Sequence, residues 1–380
     1  MERIYMDHAA TSPMNPDVIE EMTSVMKETF GNPSSIHSFG RSARHHVDLA
    51  RSIIAGGIKA DYNDIIFTSG GTEADNLALI GTAYANKSKG NHIITTQIEH
   101  HAVLHACKYL EEQGFEVTYL PVDETGRISP HDVERAMRED TILVTIMYGN
   151  NEVGTIQPIK EIGQVLKKHT AYFHTDAVQA FGIMDIDVAD LGVDMMSVSG
   201  HKINGPKGAG FLYCHKNVNL QPGSYGGEQE RKRRAGTENV PAIAGLGKAV
   251  ELAQSSWKDK HVVYEGFKRL FRKTLIDKEV DFDENGSLEY GLPHVLNLSF
   301  PGTDVESMLM NLDMSGIAVS SGSACTAGSI EPSHVLVAMF GRNSERTKNS
   351  IRFSFGLGNT EAEIVQTANE VANVVKRLVS

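Results

Sequence analysis

From residue 60 to 215, short apolar runs alternate with amphipathic stretches. Ile65–Thr68, His92–Thr96, Glu116–Leu120, Ile142–Met147, Ala171–His174, Met195–Val198 and Gly210–Tyr213 are rich in β-formers and bounded by turn residues, which predicts strands. Between them, Thr72–Ala85, Ala102–Gln113, Ser129–Arg138 and Ile159–His169 repeat apolar positions at helical spacing. Strand–helix alternation predicts βαβ units and a mostly parallel sheet covered on both faces. Near residue 240 the pattern changes. Pro241–Thr274 predicts one or two long helices, with Trp257 and its polar neighbours as the place for a break. Beyond 290 the chain reads as a strand Val295–Ser299, a helix from Asp304, a strand Ile317–Val319, a strand Asn349–Ser354 and a final helix from Thr360. The fold class is therefore α/β, with a smaller α+β unit towards the C-terminus.

Composition narrows the function. The 380 residues are 41% hydrophobic and 22% charged, as in an ordinary globular chain long enough to bury a large core. The charge balance is 36 − 48 = −12, against a dedicated nucleic-acid binder. The one dense basic run, Arg231–Arg234, is flanked by Glu228 and Glu230 and reads alone as a solvated loop. Three cysteines without a CxxC pair give neither a disulfide framework nor a zinc site, and suit a reducing compartment. No apolar stretch has the length of a membrane span, and the first residues lack the apolar core of a secretory signal, so the expected location is cytoplasmic.

In an open α/β sheet, ligands lie in the loops after the strands' carboxyl ends. Four such loops carry chemistry. Thr68-Ser69-Gly70-Gly71-Thr72-Glu73 opens a helix with glycines, which lets backbone N–H groups approach an anion, although Thr72 as a plain cap is the alternative. His100 follows another strand. Asp176, in His174-Thr175-Asp176-Ala177-Val178-Gln179, ends a third. Lys202, in Ser197-Val198-Ser199-Gly200-His201-Lys202, ends a fourth and suits a Schiff-base amine. A lysine, an acid and an anion cradle (Gly71, Thr72, Ser199, His201) are what pyridoxal phosphate requires. Cys325 lies in a run of small residues, 320–329, that predicts an exposed, reactive thiol on a mobile loop. Arg352 sits on an apolar strand, where its planar fork suits a substrate carboxylate.

These motifs, in order, resemble the NifS/IscS-type cysteine desulfurases, fold-type I pyridoxal-phosphate enzymes. The likeness runs through YMDHAATSP, GNPSSIHSFG, SGGTEADN, EHHAV, NNEVGTIQP, HTDAVQA, SVSGHKINGPKG, RRAGTEN, SGSACTAGS and IRFSFG, nearly the whole chain. The shorter Arg-x-Gly-His-x-Cys-type segment of the sister branch is absent. The resemblance implies a large cofactor-binding domain at 15–255, and a small domain from 1–14 and 256–380 carrying the cysteine loop at about 320–332. It implies Lys202 as the cofactor's lysine, His100 stacked on the ring, Asp176 on the pyridine nitrogen and Gln179 on the ring oxygen. Gly71, Thr72, Ser199 and His201 would bind the phosphate, with Thr237 reaching a neighbouring subunit's phosphate in a homodimer. Asn151 would lie beside the cofactor, and Asn32 with Arg352 would hold the substrate carboxylate. Arg233 and Arg234 would then shape an interfacial loop.

The implied reaction converts L-cysteine to L-alanine and leaves sulfur on Cys325 as a persulfide. From there it passes to an acceptor protein, an iron–sulfur scaffold or a tRNA-thiolating enzyme. The chain stops at Ser380, soon after its final helix, which leaves both acceptors open. A selenocysteine lyase or related lyase of the same fold is the nearest alternative. A non-catalytic cofactor-binding scaffold or regulator is the alternative of another class. Neither a metal nor direct nucleic-acid or membrane binding is expected.

Overall fold

The structure is a computed structural model, and residues 3–321 and 331–379 are described. A seven-stranded sheet forms its centre, in the order Ile65–Thr68, Gly210–Cys214, Met195–Ser199, Tyr172–Asp176, Thr141–Thr145, His92–Thr96, Glu116–Leu120. Only Gly210–Cys214 runs antiparallel to its neighbours. The six strands from Ile65–Thr68 through His92–Thr96 are buried along almost their whole length, as two-sided cover by helices requires. One apolar cluster lies on one face, with Phe173, Val198 and Phe211 against Ile54 and Leu246, and a second on the other, with Ile93 and Leu143 against Leu79 and Val103.

The predicted strands lie where the alternation put them, within a residue or two at each end. The long C-terminal helix differs. Val240–Asp277 runs 38 residues without a break at Trp257. No proline or glycine stands between Gly247 and Gly266, and the polar residues around Trp257 face solvent, so nothing interrupts the hydrogen-bond ladder. The boundary expected at 255/256 thus falls inside one continuous rod.

A second, three-stranded antiparallel sheet, Ser350–Ser354, Val295–Ser299 and Asp283–Asn285, packs with the final helix Glu361–Val379 around Phe271, Phe353 and Phe355. The chain's beginning joins this half. Ile4–Tyr5 pairs in parallel with Ile317–Ala318, and the Ala9 N–H donates to Ser354 Oγ at 2.8 Å. This docking carries residues 7–11 across to the ends of the central strands.

The basic run is not a uniformly solvated loop. Buried Glu230 accepts two bonds from buried Arg51, at 2.6 and 2.8 Å, and one from the Phe67 N–H. Arg234 pairs with Glu73 at 2.7 Å, and Arg233 donates to the Asn63 carbonyl. Glu230, Arg231 and Lys232 take φ values of 46°, 56° and 66°, a left-handed run of non-glycine residues costing about 1–3 kcal/mol each. The Arg51–Glu230 pair holds that turn, and losing one partner would leave the other charge buried, at about 3–5 kcal/mol.

Candidate active site

A cavity of about 640 Å³ opens at the carboxyl ends of the central strands, of a size that suits a small cofactor with its substrate. Gly71, Thr72, His100, Asn151, Asp176, Gln179, Ser199, His201, Lys202 and Arg352 all line it. Residues far apart in sequence converge there because most stand at or just beyond the carboxyl end of a central strand, while Arg352 lies within the strand Ser350–Ser354 of the second sheet.

One end is built for an anion. Gly70 has φ of 150°, and the helix Gly71–Asn86 starts without any side-chain cap, so its first N–H groups stay open. A Cβ on Gly71 would lie 2.9 Å from Val178 Cγ2, and one on Gly210 would lie 2.7 Å from the Gly70 Cα. Glycine at these places lets three backbones close around the cradle. Ser199 borders it, and the His201 Nδ1 lies 3.1 Å from the Thr11 hydroxyl.

Lys202 ends a single 3-10 turn directly after the strand Met195–Ser199. Its Nζ donates to the Ala10 carbonyl at 2.7 Å and to that of Ala9. Burial, helped by the nearby Arg352 cation, lowers its pKa to about 8, with Asp7 and Asp176 opposing. A larger share of this amine is neutral near pH 7.5 than of a surface lysine, as a nucleophilic nitrogen needs. The shift has a stability signature in the cofactor-free protein. Unfolding restores the ordinary value of 10.5, so between about pH 8 and 10.5 the unfolded chain binds the extra proton and stability rises with pH. Lys202→Met should flatten that rise. Urea midpoints of the two cofactor-free proteins across this range measure it, and parallel pH profiles would dismiss Lys202 as its source.

Asp176 accepts from the Val178 N–H at 2.9 Å, and its other oxygen has no protein partner among the described residues. Burial raises its pKa to about 6, while the Val178 bond and Lys202 pull it back. Beneath it lies a carboxylate tier that the sequence did not mark. Asp75 is fully enclosed with Oδ1 unpartnered, and burial beside Asp176 raises its pKa far above the carboxylate range. Glu99, enclosed though bonded to the Thr96 hydroxyl and the Met147 N–H, is pushed up to about 8. Asp75 and His174 lie 3.7 Å apart but make no ion pair, because burial lowers the His174 pKa to about 3. Asp176 is thus the carboxylate that ionises most readily in this tier, and it faces the cavity.

His100 caps the helix His101–Glu112 by accepting the Ala102 N–H at Nδ1, so Nε2 carries the proton. Its ring is open to the cavity, yet the surrounding walls and Lys202 lower its pKa to about 4. Gln179 donates to the Ala9 carbonyl at 2.9 Å and pairs with His294 Nε2 at 3.2 Å. Arg352 is already engaged, donating to Asp7 at 2.7 Å and the Asn151 carbonyl at 2.9 Å, with its Nε buried and unpartnered.

Two expected residues lie elsewhere. Asn32 is exposed, accepts the Ser34 N–H and does not border this cavity; Thr237 is exposed and also outside it. Cys325 lies outside the described residues. Ser320 and His334, on either side of its segment, both border the cavity. Asp7 and Ala9–Thr11, which wall Lys202, carried no assigned role in the sequence. Their signals were the polar Asp7-His8 step directly after Ile4-Tyr5-Met6 and their place in the YMDHAATSP motif.

The residues fit pyridoxal phosphate: an uncapped helix start for the phosphate, a carboxylate oxygen without a partner for a pyridinium N–H, and an enclosed amine. Comparisons with known proteins give the family. The model of the family described as Aminotransferase class-V matches residues 4–366. The chain is 63% identical to the IscS 1 protein of Bacillus subtilis (strain 168), over the full length of both. It is 49% identical to the cysteine desulfurase IscS of Methanosarcina thermophila, covering 99% of this chain and 92% of that one. A solved NifS-like protein superposes with a TM-score of 0.92 at 36% identity, covering 99% of this chain and all of the other. With that cavity and these relatives, the chain belongs to the class-V aminotransferase family, in its NifS/IscS cysteine desulfurase branch.

Proposed function

We propose that this protein is a pyridoxal-phosphate-dependent cysteine desulfurase that moves sulfur from L-cysteine to Cys325 and on to an acceptor protein. The observation that carries the reading is one cavity walled by Lys202 and Asp176 and bordered on both sides of the Cys325 segment by Ser320 and His334. Pyridoxal phosphate, when bound, supplies an aldehyde that condenses with amines and a ring that draws electrons from the attached carbon.

The chain's residues do the rest. Asp176 holds the ring nitrogen protonated, and Gly71, Thr72, Ser199 and His201 hold the phosphate. His100 covers the ring face and Gln179, braced by Ala9 and His294, meets the ring oxygen. Lys202 takes a proton from the substrate Cα and returns it where needed, a general acid–base role its lowered pKa suits. Arg352 and Asn151 orient the substrate, with Asp7 holding the Arg352 guanidinium in place. The Cys325 thiolate attacks the substrate Sγ. A sulfur–sulfur bond forms, the substrate carbon–sulfur bond breaks, and a proton replaces sulfur on that carbon. Cysteine and thiol thereby become alanine and persulfide, with atoms balanced.

The reading includes a homodimer. Phe30, Ile36 and Phe39 are exposed, with the two phenylalanine rings 5.0 Å apart, an apolar patch that a second copy would cover. Thr237, and with it Asn32, would then serve the partner's site. The division into a domain of 15–255 and one of 1–14 with 256–380 belongs to the same reading, as does a cytoplasmic setting. No helix among the described residues is long and apolar enough to cross a membrane. Iron–sulfur assembly is the acceptor route the IscS names favour, and tRNA thiolation is the second.

The visible spectrum with and without L-cysteine tests the reading. A band near roughly 400 nm that shifts on adding L-cysteine, with alanine and protein-bound persulfide formed in equal amounts, is expected. No band after addition of pyridoxal phosphate, or a band without alanine, would overturn it.

A further inference from the structure

Three histidines outside the sulfur chemistry touch at the mouth of the cavity. His101 and His105 lie one turn apart on the helix His101–Glu112, so both present the same face. His334 begins the helix His334–Phe340, which packs through Val335, Leu336 and Met339 against Ile98, Met147 and Val153 in the segments that follow two strands of the large sheet. The His101 ring centre is 5.2 Å from that of His105 and 4.7 Å from that of His334. Neighbouring cations repel if protonated, and among the described residues no carboxylate oxygen lies within ion-pair distance of the three, although the Glu152 carboxylate acts on His334 from farther away. Burial, then His334 and His105, lower the His101 pKa, which favours the neutral imidazole there.

Imidazoles at this spacing match a metal's needs. A zinc–nitrogen bond of about 2.0–2.1 Å puts ring centres about 5 Å apart around a tetrahedral ion. The His334 Nε2 lies 2.9 Å from the Glu99 carbonyl, which can only accept, so the proton is on Nε2 and a lone pair is left on Nδ1. A ligating histidine is held by the same kind of outer hydrogen bond. The exposed His101 and His105 rings need only side-chain rotation to converge on that lone pair. The donor atoms that already converge, within 4.8 Å, are those of Asp75, His100 and Asp176, deeper and in the cofactor's place.

We propose that His101, His105 and His334 bind a divalent transition-metal cation of the imidazole-preferring class, such as Zn²⁺, Co²⁺ or Ni²⁺. The ion ties the helix that follows the Cys325 segment to the helix that starts at His100. Because His101 and His334 both line the cavity, the ion also narrows its mouth.

The test uses Co²⁺ on the Cys325→Ser holoenzyme, in which neither that thiol nor an empty cofactor site competes. Equilibrium dialysis should give one ion per chain, with the visible bands of tetrahedral cobalt. His105→Gln and His334→Gln should each weaken binding about tenfold or more while the cofactor band stays unchanged. No saturable uptake, or equal uptake by the double variant, would overturn the site. Loss in the His105 variant without loss in the His334 variant would overturn the tie between the two helices.

Discussion

Lys202→Ala should lower alanine formation from L-cysteine by about 10²–10⁴-fold and remove the visible band of the lysine-bound cofactor. The size follows from two roles held by one nitrogen. Nζ sits in the cavity, feels the charge of Asp176 and is bonded to the Ala9 and Ala10 carbonyls. No histidine near it can replace it as a base that also forms the covalent link. The phosphate cradle is separate, so the variant should still bind pyridoxal phosphate, with a free-aldehyde spectrum. Equilibrium dialysis beside the activity assay distinguishes these effects. An unaltered band would show that another amine carries the cofactor.

Cys325→Ser should have the opposite signature. The cofactor band and its shift with L-cysteine persist, while persulfide formation falls by about 10³-fold or more, since a hydroxyl is not ionised at neutral pH. Persulfide labelling followed by peptide mapping reads this directly. In the wild type, sulfur transfer should fall as pH drops below the thiol's pKa, because only the thiolate attacks. Retained alanine production without persulfide would turn the assignment towards a lyase that needs no loop thiol.

Much of this site was legible in the sequence because its residues follow strands, and strands announce themselves by apolar runs. Asp176 and Lys202 stand at or just beyond the ends of Tyr172–Asp176 and Met195–Ser199, and the alternation located both. What periodicity could not carry was contact between distant segments. Asp7 binds Arg352 from 345 positions away, and no local pattern encodes such a pair. The strand Asp283–Asn285 is acidic and polar, against β-propensity. It exists because Asn285 is held by Asn297 in the adjoining strand and by Ser350 in the strand beyond it. Asp75 reads as an ordinary helix residue in a Glu-Ala-Asp-Asn stretch, and only the fold places it under Asp176.

The Asp7–Arg352 pair also dictates when the enzyme can become active during its own synthesis. The wall of the lysine pocket comes from residues 7–11, yet these are moored to Ser354 and Ile317–Ala318 near the other end of the chain. A ribosome-bound polypeptide that has completed the large sheet therefore still lacks one side of its pocket. Long-range closure of this kind is a slow, late event. A nascent chain carries Lys202 without the wall that holds it in place, and gains a finished pocket only once the strand Ser350–Ser354 has emerged.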